Sequence, residues 1–241
     1  MVSERMIAVL ALLDGAQADE VRVEPFAAAA ADVLGVDGVC AGIGTGPLGT
    51  VLAWGREKAG VALEDLQFTV GQGPGLEAIA AGAPVLVDDL AQHAARWPGF
   101  VPGALALPVR AVFAFPLRIG AISIGVLTAH RAAAGPLPPG RLADALALAD
   151  AVGLLLLHRV PTGSGAEDAA PELGPRPGWA QPAIHRAEVH QATGMISIQL
   201  NVSLAEALVR LRAHAFALDR PIAEVAADVV TRRLRFRDPH P

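Results

Sequence analysis

The chain has 241 residues, enough for two domains of ordinary size, and a formal net charge of −5. Although 53% of the residues are hydrophobic, the most apolar segment, residues 151–157, is far shorter than the ~20 uncharged residues that a membrane-spanning helix needs. The short N-terminal apolar run lacks a signal-peptide cleavage site, so we expect a cytoplasmic protein with no membrane partner. A single cysteine, Cys40, excludes an internal disulfide and a cysteine-based metal cluster.

The first 160 residues alternate between helical and strand patterns. Helices are predicted over residues 4–13, with Ser3 as the cap, and over 25–34, with Pro25 at the first position and Gly35 beyond the end. Strands are predicted over residues 38–43, 50–54, 66–70, 84–87, 111–118 and 121–130. The last two are joined by a tight turn at Ile119-Gly120. Strands that pair directly with their neighbours favour an antiparallel sheet, and we expect its helices on one face.

A long helix is predicted over residues 141–159. One stripe of it is expected to be buried, and it comprises Leu142, Leu146, Ala149, Gly153 and Leu156. Leu154, Leu155 and Leu157 leave further apolar surface, which favours a partner helix in a homodimer. The alternative is that this helix is fully buried within its own domain.

Residues 161–181 are rich in Pro, Gly, Ala and acid without an apolar period, which predicts a linker that includes Trp179. Three helices are predicted after it. The first spans about residues 182–200, the second begins at a capping box from Ser203 to Glu206, and the third has Pro221 in its first turn. Their expected buried residues are Val189, Ala192, Ile196 and Gln199 or Leu200; Leu204, Leu208, Leu211 and Ala215; and Ile222, Val225, Val229 and Val230. The short connections predict a compact antiparallel bundle.

The sequence of this bundle resembles the ANTAR domain, the RNA-binding module of bacterial transcription antitermination regulators. The matching positions are Gln191-Ala192-x-Gly194, Ala207, Leu211-Arg212, Ala215, Arg220-Pro221-Ile222 and Val225-Ala226-x-x-Val229-Val230. Position 193 departs from the family, because it holds Thr where the family commonly has Lys.

The N-terminal part is similar to GAF domains, which precede ANTAR modules in actinobacterial regulators. The similar segments are residues 70–75, 82–90, 115–117 and 125–127. The two resemblances together imply an α+β fold. They divide the chain into a GAF-like sensor domain (1–160), a linker (161–181) and an ANTAR RNA-binding domain (182–237).

The ANTAR resemblance implies binding to a nascent transcript with paired hairpins, which would prevent a terminator stem from forming. Unstacked loop bases and phosphates suit Arg and small polar side chains. Residues 182–241 supply eight Arg and no Lys, against six acidic residues, and Arg binds phosphate in a bidentate manner. The expected RNA contacts are Arg186, His190, Gln191, Thr193, Gly194, Arg212, Arg220, Arg232 and Arg233.

Helical spacing arranges several of these residues. Arg186, His190, Thr193 and Ser197 follow one another at i, i+4, i+7 and i+11, which predicts one shared exposed face. Gly194 beside them would let the RNA backbone approach closely. Arg232, Arg233 and Arg235 would add sequence-independent attraction.

Structural alternatives exist for each of these residues. Gln191 and Gly194 would serve helix packing, and His190 would be an ordinary exposed histidine. Arg212 would be solvated or paired with Asp219 or Glu206, and the arginines after residue 231 would complement a helix dipole. In the rival function, the bundle is a protein–protein interaction module.

No catalytic set stands out, so we expect no enzyme, metal or cofactor. Methionine sulfoxide reduction, known for some GAF-like proteins, needs two cysteines. The glycines of residues 71–75 fit a turn at the rim of a GAF pocket, which Trp97 and Phe100 would cover. The pocket would take an unidentified small molecule, and activation would pass through the 141–159 helix and the linker.

Overall fold

The structure is a computed structural model, and it describes residues 1–14, 23–44, 50–54, 57–158, 183–218 and 220–237. The predicted linker with Trp179 lies outside these residues, as do Arg159 and Asp219. The side chain of Arg186 also lies outside the described part, although its backbone belongs to a helix.

Two helices open the chain, α1 (Glu4–Asp14) and α2 (Val23–Leu34). Ser3 caps α1 as predicted, because its Oγ accepts a hydrogen bond from the backbone N of Met6 at 3.2 Å. Helix α2 begins two residues before the predicted Pro25 and is followed by Gly35, whose φ of 68° only glycine adopts easily.

A five-stranded antiparallel sheet follows, in the spatial order β2-β1-β5-β4-β3. The strands are β1 (Gly38–Gly44), β2 (Thr50–Trp54), β3 (Val85–Val87), β4 (Ala111–Ile119) and β5 (Ile122–Arg131). Ile119 pairs with Ile122, so the β4–β5 turn consists of Gly120 and Ala121, one residue later than predicted.

The predicted strand over residues 66–70 is wrong. These residues form the end of helix α3 (Lys58–Val70), which begins after the cap Glu57 and ends at Gly71, a left-handed residue with φ 68°. A short apolar run cannot be assigned to a strand or a buried helix by its period alone. Two further helices, α4 (Pro74–Ala81) and α5 (Val101–Ala106), lie on the same side of the sheet as α3.

The helices cover both faces of the sheet, not one face as predicted. Helices α1, α2 and α6 (Arg141–His158) pack on one face, where Phe113, Phe115 and Leu127 contribute to the core. Helices α3, α4 and α5 contribute to a second core on the opposite face, with Val112 and Ala114. Residues 111–117 of β4 are all buried, as a central strand covered on both faces requires.

The predicted buried stripe of α6 is partly wrong. Leu142 and Leu146 are exposed, at 44% and 41%, whereas Ala149, Gly153 and Leu156 are buried as predicted. The first half of the helix instead buries Ala145 and Leu148, so the prediction is wrong only there. Leu154 and Leu157 are exposed, as expected.

Three C-terminal helices share a third core: α7 (Ala183–Leu200), α8 (Leu204–Ala217) and α9 (Ile222–Val230). Ser203 caps α8 by accepting a hydrogen bond from the backbone N of Glu206 at 3.2 Å. The expected core residues are buried except Leu204, which is exposed, Val230, which is partly buried, and Gln199, whose place is taken by Leu200. Within the described residues no single helix has the length and hydropathy to cross a membrane, and the one pair that passes this test together, from α7 and α8, is bent by 106°.

Candidate nucleic-acid interface

The exposed face of α7 carries two of the expected RNA contacts. Gln191 is exposed, and a Cβ built on Gly194 would meet nothing within 4 Å. Ala187 and Ile198 lie at the same helical phase, and Ile198 is 84% exposed. The open space at Gly194 would let another molecule approach the helix backbone, as expected from the sequence.

The predicted placement of Thr193 on the exposed face is wrong. Thr193 is fully buried, and its Oγ1 donates a hydrogen bond to the carbonyl of Val189 at 2.7 Å. Thr193 lies one helical turn after Val189, which is buried. The side of α7 that carries Thr193, and Ser197 one turn later, therefore faces towards the bundle core. The exposed face of α7 is centred on Gln191 and not on His190. It is therefore rotated by about 100° around the helix axis from the predicted exposed face.

Two other expected contacts, Arg212 and His190, lie against the N-terminal part of the chain. The Nε and Nη2 atoms of Arg212 donate hydrogen bonds to the carbonyl of Phe68 in α3, at 3.0 and 2.5 Å. The guanidinium also lies 5.6 Å from the Phe68 ring centroid, and the His190 ring meets the same ring edge-on at 6.0 Å. Burial lowers the pKa of Arg212 to about 10, so the guanidinium remains charged near neutral pH.

Of the two alternative partners of Arg212, only Glu206 belongs to the described residues, and no ion pair joins it to Arg212 there. Glu206 pairs with Arg210 at 2.8 Å, and Asp219 lies outside the described residues. No local pattern predicts the contact with Phe68, which lies 144 residues away in the chain, but the helix that carries Phe68 has a local signal. Gly71 directly after an apolar run was a usable signal, since glycine commonly ends a helix.

Two further arginines that are expected to contact RNA, Arg220 and Arg233, form salt bridges with carboxylates. Arg220 lies 3.0 Å from Asp228 and 3.6 Å from Glu224, and Arg233 lies 2.9 Å from Asp228. The hydrogen bond from Arg220 is the main cause that lowers the pKa of the Asp228 carboxyl. Arg233 remains 69% exposed and still presents charge to solvent, whereas Arg220 is 37% exposed and is paired with two carboxylates.

The segment after α9 turns back over the bundle and presents cations. The backbone N of Phe236 donates a hydrogen bond to Gln199 Oε1 at 2.9 Å, and the Phe236 ring lies 5.1 Å from the His214 ring. Arg232, Arg235 and Arg237 are exposed along this segment. Gln191 and Gln199 are separated by about 12 Å along α7, and the hydrogen bond to Gln199 therefore fixes this segment on the same helix that carries Gln191.

A second group of polar residues, which no pattern in the sequence predicts, lies around the buried His130 on the N-terminal sheet. His130 in β5 is 1% exposed, and its Nε2 lies 2.9 Å from Oε2 of Glu57. Burial is the main cause that lowers the pKa of His130, against Glu57 and Asp37, which raise it. We therefore assign a neutral imidazole that donates from Nε2 to the carboxylate, with Nδ1 as an acceptor.

Two buried polar atoms in this group have no hydrogen-bond partner among the described residues. They are Nδ1 of His130 and Oγ1 of Thr128, two residues apart on the same face of β5. Cys40 on the neighbouring strand is also buried, with its Sγ 3.6 Å from the carbonyl of Thr128. Buried polar atoms usually have partners, so this face has unused hydrogen-bonding capacity.

The glycine-rich segment 71–75 connects α3 to α4. Gln67 is buried, accepts a hydrogen bond from the backbone N of Gly75 at 2.7 Å, and donates one to Glu64 at 2.9 Å. A Cβ on Gly73 would lie 2.5 Å from Gln67 Oε1, so the segment is glycine-rich because it packs against this side chain. It follows a helix rather than a strand, which does not fit a phosphate-binding loop. Trp97 and Phe100, expected over this face, are buried in its core.

Comparison with solved structures identifies the N-terminal fold. A GAF domain from an Acinetobacter phosphoenolpyruvate-protein phosphotransferase is similar with a TM-score of 0.52 and 11% identity, covering 66% of this chain and 95% of that one. The N-terminal part of the chain has the GAF fold. A GAF domain of the corresponding Coxiella burnetii protein is similar with a TM-score of 0.49 and 15% identity, covering 65% and 96% of the two chains.

A free methionine-R-sulfoxide reductase from Neisseria meningitidis is also similar, with a TM-score of 0.45 and 18% identity, covering 64% of this chain and 87% of that one. No protein-family model matches the sequence, and the search of curated proteins found no match. The GAF fold accounts for the N-terminal sheet and its helices. The ANTAR resemblance of the bundle and the absence of enzymatic activity stay predictions.

Proposed function

We propose that this protein is an RNA-binding regulator of transcription antitermination. Its C-terminal bundle would bind hairpin loops in nascent transcripts, and its GAF-fold domain would control this binding. The observation that carries the proposal is the exposed face of α7, which presents Gln191 and the open backbone at Gly194, on a bundle that also exposes arginines in residues 232–237. Gln191 and Gly194 belong to the motif that resembles ANTAR domains, and the arginines directly follow it.

The chemistry of this surface suits a hairpin loop. Gln191 offers an amide that donates and accepts hydrogen bonds, which matches the edges of unstacked bases. The exposed backbone at Gly194 allows a ribose or phosphate to approach closely. Arg232, Arg233, Arg235 and Arg237 would attract the phosphates on either side of the loop.

A homodimer would supply two such surfaces for paired hairpins. Helices α1 and α6 pack together and both expose large apolar side chains: Ile7, Leu12, Leu142, Leu146, Leu154 and Leu157. Exposed apolar side chains on adjacent helices favour association with a second copy. Sedimentation velocity on the full chain tests this, with Leu146→Glu expected to reduce the dimer fraction.

The GAF-fold domain would bind a small molecule on the sheet face that carries His130 and Thr128. The unpartnered Nδ1 is an acceptor and the unpartnered Oγ1 is both donor and acceptor, so they fit a ligand with at least one N–H or O–H group.

Binding to a synthetic RNA with two short-loop hairpins tests the proposal. Fluorescence anisotropy on the full chain should give about 3- to 10-fold weaker binding for Gln191→Ala, the usual effect of losing one hydrogen bond. Thr193→Val is the matched control, because this residue is on the same helix but fully buried. Equal affinity of Gln191→Ala and the control would remove this face of α7 from the proposal.

A protein-interaction module is the second candidate, and the bundle has one feature that favours it. Ile198 and Phe216 are each 84% exposed, and Val209 is 59% exposed. The dependence of binding affinity on salt concentration distinguishes the two functions. Contacts with several phosphates weaken steeply as the salt concentration rises, whereas apolar contacts do not.

A further inference from the structure

Phe68 joins the GAF-fold domain to the C-terminal bundle, and it covers two of the expected RNA contacts. We propose that Phe68 acts as an intramolecular latch that withholds Arg212 and His190 from RNA until the GAF-fold domain releases it. This inference rests on the proposed RNA-binding function. It assigns the control to helix α3, in addition to α6 and the linker.

The packing of Phe68 shows that it belongs to the interface. Its side chain is 2% exposed, and its apolar neighbours are in the core of the bundle, not in either core of the GAF-fold domain. The adjacent residue Gln67, in contrast, is buried towards the interior of its own domain. If the bundle moved away, Phe68 would be exposed to water while the GAF-fold cores stayed intact.

A backbone carbonyl at the end of α3 accepts the hydrogen bonds of the Arg212 guanidinium. The Phe68 carbonyl lies in the last turn of α3, where carbonyls lack helical partners and the dipole favours a cation. A Cβ at Gly71 would lie 2.8 Å from Nη1 of Arg212, so the glycine permits this approach. The same N–H groups are those that would bind an RNA phosphate or base. RNA and the α3 terminus therefore compete for one side chain.

Helix α3 also connects this contact to the interior of the GAF-fold domain. Its cap, Glu57, accepts hydrogen bonds from the backbone N atoms of Ala59 and Gly60 and contacts His130. Near its other end, Gln67 holds the α3–α4 connection and directly precedes Phe68. A ligand that engages His130 would shift Glu57 and the start of α3. Because a helix moves largely as a rigid unit, its last turn and Phe68 would move with it.

The latch has a measurable thermodynamic consequence. When only a fraction of molecules is competent to bind, the apparent Kd exceeds the intrinsic Kd by the inverse of that fraction. If about 1–10% of the molecules are unlatched, removing the latch tightens RNA binding by about 10- to 100-fold.

The test compares the full-length wild type with Phe68→Ala and Phe68→Gln, using the two-hairpin RNA and anisotropy. Glutamine keeps a good helix former in α3 and tolerates exposure, so it covers the case in which the alanine variant does not fold. Leu86→Ala is the control, because Leu86 is exposed on β3, at the sheet edge opposite to β2, which α7 contacts. Both Phe68 variants should bind at least ~10-fold more tightly than the wild type, and the control should match the wild type.

A second measurement observes the latch without RNA. The Nε–H of Arg212 donates to the Phe68 carbonyl, so its proton should exchange slowly with water in the wild type and faster in both Phe68 variants by ¹⁵N NMR. Equal RNA affinity of the wild type and the Phe68 variants would overturn the latch and leave the RNA-binding function standing. If no variant binds RNA, the proposed function fails and the latch fails with it, whatever the exchange rates.

Discussion

Gly38→Ala is expected to destabilise the GAF-fold domain by crowding the buried imidazole of His130. A Cβ at Gly38 would lie 2.4 Å from Cε1 of His130 and 3.1 Å from Oε2 of Glu57. Carbon atoms in contact are normally 3.5–4.0 Å apart, so the ring would have to retreat by about 1 Å. Gly60 on α3 faces the same atom, since a Cβ built on Gly60 would lie 3.2 Å from it, so the ring packs between β1 and α3.

The magnitude follows from two opposing effects. Overpacking of a buried site costs about 1–3 kcal/mol, whereas replacing glycine by alanine inside a strand stabilises by about 0.5–1 kcal/mol. We therefore expect a net loss of about 1–2 kcal/mol for Gly38→Ala. Gly44→Ala is the matched control on the same strand, since its Cβ would lie at an ordinary 3.5 Å from the carbonyl of Ile124.

Urea unfolding followed by circular dichroism measures both variants at pH 7.5. The control should be as stable as the wild type or slightly more stable. If Gly38→Ala unfolds with the same free energy as Gly44→Ala, His130 does not occupy the site between β1 and α3, and the ligand face assigned to it loses its basis.

Three further predictions concern His130, Thr193 and Ser203. The pKa of His130 is lowered from 6.5 in the fold, so the contribution of its neutral form to the free energy of unfolding is fully present above about pH 6.5. It is lost as the pH falls, by at most ~1.4 kcal/mol per pH unit. Urea unfolding at pH 7.5 and 5.5 should show this loss in the wild type and not in His130→Gln, and an equal loss in both would contradict it. Thr193→Val should cost about 0.5–1.5 kcal/mol of stability, the usual value of one hydrogen bond, and leave RNA affinity unchanged, since the hydroxyl bonds only to Val189 of its own helix; a weakened complex in anisotropy would return Thr193 to the binding face. Ser203→Ala should cost about 1 kcal/mol in thermal unfolding of the bundle, whereas Ser203→Asp should not, and equal losses would contradict a capping role.

Local patterns in the sequence predicted much of the GAF-fold sheet. The two apolar β-type runs over residues 111–118 and 121–130 and the glycine between them located that hairpin to within one residue, because both signals are short-range. Residues 66–70 failed because five residues are too few to distinguish a strand from the end of a helix. The actual helix depends on a cap at Glu57 and a stop at Gly71, which had to be recognised together.

The candidate interface was harder to predict because it depends on helix rotation and on contacts distant in sequence. The spacing of Arg186, His190, Thr193 and Ser197 is correct for one helix face, but spacing alone does not say which face is exposed. The core position of Val189 and Ile196 brings Thr193 inward. Arg212 and Phe68 are 144 residues apart, and no local pattern predicts that they meet.

His130 illustrates the same limit for buried polar groups. A histidine within an apolar strand carries no distinctive sequence signal. Its environment is made by Gly38, Gly60 and Glu57, which come from a strand, a helix and a helix cap. Only the folded chain brings these residues together. The sheet face around His130, for which we propose ligand binding, could therefore be identified only from the structure.

Recovery of RNA after crosslinking in cells tests the central claim most directly, because it asks whether the bundle meets a folded transcript at all. The account predicts that the wild type retrieves transcripts with two adjacent short-loop hairpins next to a terminator, and that Gln191→Ala retrieves fewer of them at equal protein level. Recovery of no RNA above that of an untagged strain, or of RNA without such hairpins, would contradict it.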